Sequence, residues 1–298
     1  MTGVSVIIPT NRGGRYLREA VESVRRQTAP VREIILVDDG SPDPGLSAVA
    51  DALELTYVRQ PASGISIARN TGVQAASGRW VAFLDDDDVW HPERIEAQLR
   101  ELKRSPEAVG SHTGGWFMDA DGVRFGEDWS APPGSSTDFI SARILPPRIT
   151  TVLVRRDAYL GVGGCDPVME PAEDNELILR LLLAGSFAAV DRSLVGYRRH
   201  AANITGKGLE GRRASVRALR AARQRARAGS DPELTELLRV RRHIFFDHWA
   251  SENLGELIAS LRRRDWAYSG SLASWALTDA PVESLHALAD RLTRRLAR

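Results

Sequence analysis

Trp80-Val-Ala-Phe-Leu-Asp-Asp-Asp-Asp-Val-Trp-His-Pro-Glu93 runs an apolar stretch straight into four consecutive aspartates. An apolar run of this length, Trp80 to Leu84, reads as a buried strand. Four carboxylates at its end repel one another, which costs free energy unless a cation or hydrogen-bond donors neutralise them. Hard oxygen ligands of this kind suit Mg²⁺ or Mn²⁺. A solvated acidic loop is the ordinary reading of a charge run. The buried strand before it and the Trp-x-Pro after it favour a cation at the mouth of a sheet, where α/β proteins bind ligands.

The neighbouring sequence supplies the rest of such a sheet. Val4 to Ile8 is β-branched and stopped by Pro9, and Glu33 to Val37 is a second apolar run ending at Asp38-Asp39-Gly40-Ser41. Leu55 to Val58 is a third strand. Between the strands, Arg15 to Gln27 places Leu17, Ala20, Val21 and Val24 at helical spacing. Leu46–Leu53 and Ser66–Ala76 also read as helices, the latter stopped by Gly78, and Pro92 begins another to about Arg104. Alternating β and α elements imply a mainly parallel, doubly wound sheet. Its carboxyl edge then collects Thr10-Asn11, Asp38-Asp39 and Asp85–Asp88.

Each cluster has its own chemistry. A carboxylate at Asp38 or Asp39 can accept from a base imide or a ribose hydroxyl, although Asp-Gly is also ordinary turn chemistry. Gly64-Ile-Ser-Ile-Ala-Arg-Asn-Thr-Gly72 leads into a helix, and Arg69 there can reach a phosphate or a base, or serve as a surface arginine beside an N-capping Ser66.

Beyond residue 105 the pattern is less regular. Gly114-Gly115, Pro132-Pro133-Gly134 and Pro146-Pro147 mark loops, Thr150–Val154 a strand, and Glu173–Ala184 a helix ended by Gly185. From about 207 the chain becomes Arg/Ala-rich and helical. The expected organisation is residues 1–206 as the α/β domain that carries the polar clusters and 207–298 as a helical region. In that region Arg262-Arg-Arg264 adjoins Trp266 and Tyr268, with Trp249 and Trp275 nearby. Val282, Leu285, Leu288, Leu292 and Leu296 form a stripe interleaved with Arg291, Arg294, Arg295 and Arg298. Such helices can lie on anionic membranes, but a helical cap or a homodimer surface is the favoured reading.

The 298 residues are 43% hydrophobic and 27% charged, which is a globular balance. With 40 Lys+Arg against 39 Asp+Glu the net charge is +1, so no nucleic-acid partner is expected. The single cysteine, Cys165, excludes an internal disulfide and a multi-cysteine metal site. Met1-Thr-Gly enters a strand pattern with no basic leader, and no apolar stretch reaches the roughly 18 residues of a membrane span. A cytoplasmic protein is expected.

Val-Ser-Val-Ile-Ile-Pro-Thr-Asn, Val-Asp-Asp-Gly-Ser, Gly-x-x-x-Ala-Arg-Asn-x-Gly and Phe-Leu-Asp-x-Asp-Asp-x-Trp-x-Pro occur in this order between residue 4 and residue 92. The ordered set closely resembles the family 2 glycosyltransferases, inverting enzymes of the GT-A fold, over residues 4 to about 200. The resemblance implies a GT-A, Rossmann-like sheet flanked by helices, with a helical C-terminal extension. It implies that Asp85-x-Asp87 is the Asp-x-Asp motif, with Asp87 on Mn²⁺ or Mg²⁺ and Asp85 or Asp86 on the ribose or the metal. Asp at the variable position, Asp86, leaves the ligand pair open. Asp39, with Asp38 beside it and with Pro9, Thr10, Asn11 and Arg12, would hold the nucleotide, flanked by Arg69.

The family also places a Glu-Asp pair at the start of a later helix, here Glu173-Asp174, with Asp174 as general base. An inverting transfer needs one carboxylate to take the acceptor proton, and no carboxylate nucleophile. Acidic residues are also favoured at any helix N-terminus. Tyr197-Arg-Arg-His200 resembles the family's Tyr-Arg-x-His segment, and His200 is either a metal or phosphate ligand or a solvated loop histidine. Trp116 and residues 127–148 either shape an acceptor pocket or simply pack. The expected reaction moves a sugar from a nucleoside diphosphate donor, expected to be a UDP-sugar, to a hydroxyl on a glycan, a lipid-linked glycan or a small molecule. The alternatives are a sugar-phosphate nucleotidyltransferase, in which Glu173-Asp174 would lack a role, and a non-catalytic nucleotide-sugar-binding scaffold.

Overall fold

The computed structural model describes residues 3–140, 147–170, 173–200, 208–232, 234–236, 238–239, 254 and 256–278. The chain divides into two compact units, Met1–Phe139 with Ile144–Asn203, and Ile140–Arg143 with Ile204–Arg298.

In the first unit the expected βα alternation forms β1 (Val4–Thr10), α1 (Arg15–Arg25), β2 (Glu33–Asp39), α2 (Leu46–Ala52), β3 (Thr56–Gln60), α3 (Ile65–Ala75) and β4 (Trp80–Phe83). All seven residues of β1 are buried, which is why its sequence is mostly apolar on both faces, with Ser5 hydrogen-bonded to Glu33 and Thr10 at the site end, rather than alternating. β3, β2, β1 and β4 are neighbours in parallel register, with Thr10 opposite Asp38. The apolar stripe of α1, Leu17, Ala20, Val21 and Val24, is buried in the core with Val4, Val6 and Ile8. Gly72 lets α3 press onto the other face, since a Cβ there would meet Ile7 Cγ2 at 2.4 Å.

The rest of the sheet is mixed. β5 (Val89–Trp90) and α4 (Arg94–Arg104) follow the aspartates, then β6 (Gly110–Met118), β7 (Arg124–Trp129), α5 (Ser136–Ile140), β8 (Leu153–Arg155), α6 (Arg156–Gly161), α7 (Glu173–Ala184) and β9 (Phe187–Arg198). The strand order is β3-β2-β1-β4-β8-β6-β9-β5, with β7 on β6. β8 is antiparallel to β4 and β6, whereas β6 and β9 run parallel. The sheet is thus parallel around β1 and mixed beyond β4.

Two local expectations change. Gly114 and Gly115 lie inside β6 rather than in a loop. Added Cβ atoms would fall 2.3 Å from Trp129 O and 2.3 Å from Val195 O, so close backbone approach, not a turn, requires glycine there. Thr150 and Thr151 belong to a 3₁₀ turn that precedes β8.

The second unit contains α8 (Gly208–Ala228) and α9 (Trp266–Thr278). Trp249 and the stripe from Val282 to Leu296 with its arginines lie outside the described residues. Among the described residues no helix is long and apolar enough to cross a membrane.

Candidate active site

Because β2, β1 and β4 are adjacent and parallel, their carboxyl ends lie side by side. The aspartate run leaves β4 through Leu84 and turns back, with Asp88 N donating to Asp85 O at 3.1 Å. The four carboxylates then point to different partners.

Asp85 Oδ1 accepts from Arg69 Nη2 at 3.0 Å. Asp86 Oδ2 meets the hydroxyl of Thr10, at the end of β1. Asp87 Oδ2 receives Arg12 Nη2 at 3.1 Å and lies 3.0 Å from His200 Nε2. Asp88 is buried, and its Oδ1 accepts from the backbone N–H of Arg198 at 3.0 Å. Its Oδ2 is buried without a hydrogen-bond partner among the described residues.

The electrostatics follow from this crowding. Burial, reinforced by Asp87 and Asp85 against the Thr10 hydrogen bond and Arg12, pushes the Asp86 carboxyl up to about 6. Burial first and the Asp85 charge second raise Asp87, with His200 and Arg12 opposing. Asp88 is raised further above the usual carboxylate range by burial and by the charges of Asp85 and Asp87. The loop is therefore short of positive charge.

His200 is held for this contact. Its ring stacks on Tyr16 at 5.2 Å between centroids, and the Arg198 guanidinium lies 4.5 Å from the same tyrosine ring. Arg198 also donates from Nε to Asp87 O at 2.8 Å and pairs with Glu19. The end of β9 is thus fastened to the aspartate loop through α1. Tyr16 and Arg198 were not anticipated as site residues. The Tyr-Arg-x-His segment contains Arg198 as its arginine, with Arg199 at the variable position, but only His200 drew a role from it.

Asp38 and Asp39 divide their roles. Asp38 is fully buried and accepts from Ser41 N at 2.7 Å, Arg59 Nη1 at 2.9 Å and the Tyr57 hydroxyl. It builds the turn after β2. Asp39, partly exposed, accepts from Gln60 Nε2 and Ser63 N at 2.8 Å and from Gly64 N at 2.9 Å, which fixes it at the rim. Pro9 is buried within β1, Asn11 is exposed, and Arg12 is partly exposed.

Arg69 joins the two halves of the site. It is 4% exposed, and its Nη1 donates to Glu173 Oε1 at 2.7 Å while Nη2 holds Asp85. Burial disfavours its charge, but Asp85 and Glu173 more than offset that and raise its pKa. Its guanidinium thus faces carboxylates from inside the protein. Glu173 and Asp174 are both raised by burial, with Arg69 the main opposing influence. Asp174 Oδ1 accepts from Asn175 N at 2.7 Å. Glu170 Oε1 accepts from Ser66 N at 2.9 Å at the start of α3, a second tie between these segments.

Among the described residues, no group of three or more His, Cys, Asp or Glu side chains is arranged to hold a metal ion. Mg²⁺ and Mn²⁺ sites commonly use one or two protein ligands with phosphates and water completing the shell. The facing Asp87 Oδ2 and His200 Nε2, in a loop short of positive charge, fit that smaller requirement.

The matching sequence extends beyond the motifs. Residues 5–160, just over half of the 298, match the family described as Glycosyl transferase family 2. The chain belongs to glycosyl transferase family 2. Its fold is shared by solved structures. S. aureus TarS 1–349 in complex with UDP-GlcNAc superposes with a TM-score of 0.57 at 15% identity, covering 92% of this chain and 91% of that one. The family 2 chain therefore has the GT-A architecture. An uncharacterized glycosyltransferase of Nostoc sp. is 30% identical over 213 residues, 67% of this chain and 66% of the relative. Chondroitin synthase of Pasteurella multocida is 24% identical over 213 residues, 70% of this chain but 22% of that protein. The family 2 chain spans about two thirds or less of the length of the curated relatives it matches.

Proposed function

We propose that this family 2 chain is an inverting glycosyltransferase that moves a sugar from a nucleoside diphosphate donor to an acceptor hydroxyl. The observation that carries the reading is the Arg69 bridge. It ties Asp85, in the donor-side motif, to Glu173, beside the carboxylate best suited to be the base.

In this reading UDP is the nucleotide. Asp39 lies next to the base and ribose, and Thr10, Asn11 and Arg12 line the approach from β1. Asp38 supports Asp39 through the turn. Mn²⁺ or Mg²⁺ would be held by Asp87 and His200, with Asp85 as the further carboxylate. A divalent cation there supplies positive charge to the diphosphate as it departs. Asp86 contacts the ribose or the metal, and its raised pKa relaxes when positive charge arrives.

Asp174 acts as general base. The acceptor oxygen attacks the anomeric carbon from the face opposite the diphosphate, so a C–O bond forms as the bond to the leaving oxygen breaks. The bonding electrons go to the diphosphate and the acceptor proton to Asp174. One displacement inverts the anomeric centre, giving a β linkage from an α-sugar donor. Burial raises the proton affinity of Asp174, which suits a group that must accept a proton, and Arg69 limits that rise. Glu173 holds Arg69, and Arg69 holds Asp85, so base and donor motif keep a fixed relation.

Residues 207–298 form a separate helical region in this reading, serving as a cap, a dimer surface or a peripheral membrane contact of a cytoplasmic enzyme. The experiment is a thermal-shift series of nucleoside diphosphates and their sugars with and without Mn²⁺, followed by nucleotide release with varied acceptors. Ligand stabilisation follows concentration over Kd. The reading expects Mn²⁺-dependent stabilisation by UDP and acceptor-dependent release of UDP. Binding without turnover across acceptors would point to a scaffold, and pyrophosphate release to a nucleotidyltransferase.

A further inference from the structure

Arg148, just before the 3₁₀ turn, lies among aromatic side chains. Its guanidinium carbon is 5.1 Å from the Trp129 ring centroid, 5.2 Å from Tyr197 and 5.7 Å from Phe117. The rings come from three strands, β7, β9 and β6, and pack on one another. Phe117 and Trp129 centroids are 4.9 Å apart, and Phe117 meets Tyr197 edge-on at 6.2 Å. All four side chains are partly exposed. Arg199 lies over Phe117 at 4.2 Å and adds a second positive charge.

Aromatic faces attract a guanidinium but accept none of its in-plane hydrogen bonds. Among the described residues, the Arg148 side chain makes no hydrogen bond or ion pair. This contrasts with Arg12, Arg69, Arg180 and Arg198, each of which meets a carboxylate. An arginine held in place by rings, with its donor fork available, matches a carboxylate or a phosphate, both of which it can pair with through two parallel hydrogen bonds.

The location matters as much as the chemistry. Arg148 is near enough to Asp174 to favour its ionised form, as a lesser influence beside burial and Arg69. Through Arg148 the aromatic group lies near the proposed base, the side of the site where an acceptor must present its hydroxyl.

We propose that Phe117, Trp129 and Tyr197 with Arg148 form an acceptor subsite for an anionic glycan, the rings packing on a sugar or polyol and Arg148 pairing with its carboxylate or phosphate. This rests on the glycosyltransferase reading and adds the class of acceptor to it. Arg148 is a specificity-determining residue in this account, and Trp129 is the main stacking surface.

The test is binding of matched acceptor probes to the full chain, read by saturation-transfer NMR and calorimetry without donor. One pair is an oligosaccharide containing glucuronate and its glucose counterpart, and the other is a short polyol-phosphate oligomer and the same oligomer with neutral linkages. A charge-assisted, bidentate contact should make one charged member bind about tenfold tighter than its neutral partner. The pair that discriminates identifies the anion as carboxylate or phosphate. Arg148→Ala should remove that preference, Arg148→Lys should keep part of it, and Trp129→Ala should weaken both members of the pair alike. Thermal melting of each variant checks its fold. Equal or undetectable binding of both charged members, or an Arg148→Ala variant that weakens charged and neutral probes equally, would overturn the subsite. UDP binding with Mn²⁺ is measured in parallel, and its absence in the native chain would count against the donor reading instead.

Discussion

Arg69 Nη1 sits 2.7 Å from Glu173 Oε1 across 104 positions of sequence, and both side chains are almost wholly buried. Removing one member of a buried pair leaves the other charge uncompensated, which typically costs about 3–5 kcal/mol. Arg69→Met should lower unfolding stability by roughly that amount, with Asp85 left unpaired as well. The double variant Arg69→Met/Glu173→Leu should recover part of the loss. Urea denaturation of the three proteins decides the matter. A loss under about 1 kcal/mol in Arg69→Met would mean the bridge does not organise the site.

Asp174→Asn tests the base separately from the donor site. The substitution keeps shape and removes proton affinity. UDP affinity should stay within about twofold while transfer falls by on the order of 10²–10⁴. Nucleotide release at saturating donor measures it, and full activity would assign the proton to another group.

His112, in β6, gives a pH dependence away from the aspartates. It is 3% exposed, packs edge-on against Phe139, and is pushed down to about 4 by burial, with Asp191 opposing weakly. The unfolded chain takes up this proton near pH 6.5 while the folded chain does not, so the stability is fully present above 6.5 and is lost as pH falls toward 4. The loss reaches at most about 3 kcal/mol. His112→Leu should flatten the stability profile between pH 6.5 and 4, followed by denaturant midpoints at each pH. An unchanged slope would place the acid sensitivity elsewhere.

Gly115→Ala probes the join between β6, β7 and β9. The new methyl would lie 2.3 Å from both Trp129 Cζ2 and Val195 O. Backbone on one side cannot move as a side chain can, so the expected cost is about 1–3 kcal/mol or more. A melting temperature unchanged from the native chain would contradict the close approach.

That glycine also marks where the sequence stopped being legible. The parallel half of the sheet was readable because each buried strand is a mostly apolar run ending in a polar turn, from Val4–Ile8 to Trp80–Leu84. The glycines of β6 gave the opposite signal, since a glycine needed for close approach looks the same as one that breaks a strand. The exposed positions of β7, Arg124 to Asp128, left no apolar run to find. Residue types at the site were equally visible, but their partners were not. Nothing in Asp38-Asp39 says that the first carboxylate turns inward to Tyr57 and Arg59. Arg69 drew attention as a phosphate ligand, and only the fold brings it to Glu173. Tyr16 was hidden because one aromatic in an amphipathic helix carries no sign of the histidine it stacks on.

The central claim is that the aspartate loop, with His200, binds a nucleoside diphosphate through a divalent cation. Calorimetric titration of UDP into the native chain and into Asp87→Ala, each with Mn²⁺ and with EDTA, tests it most directly. The account predicts Mn²⁺-dependent binding to the native chain that is lost in Asp87→Ala, although the variant melts cooperatively. UDP binding of equal strength in Asp87→Ala, or binding indifferent to Mn²⁺ in the native chain, would contradict it.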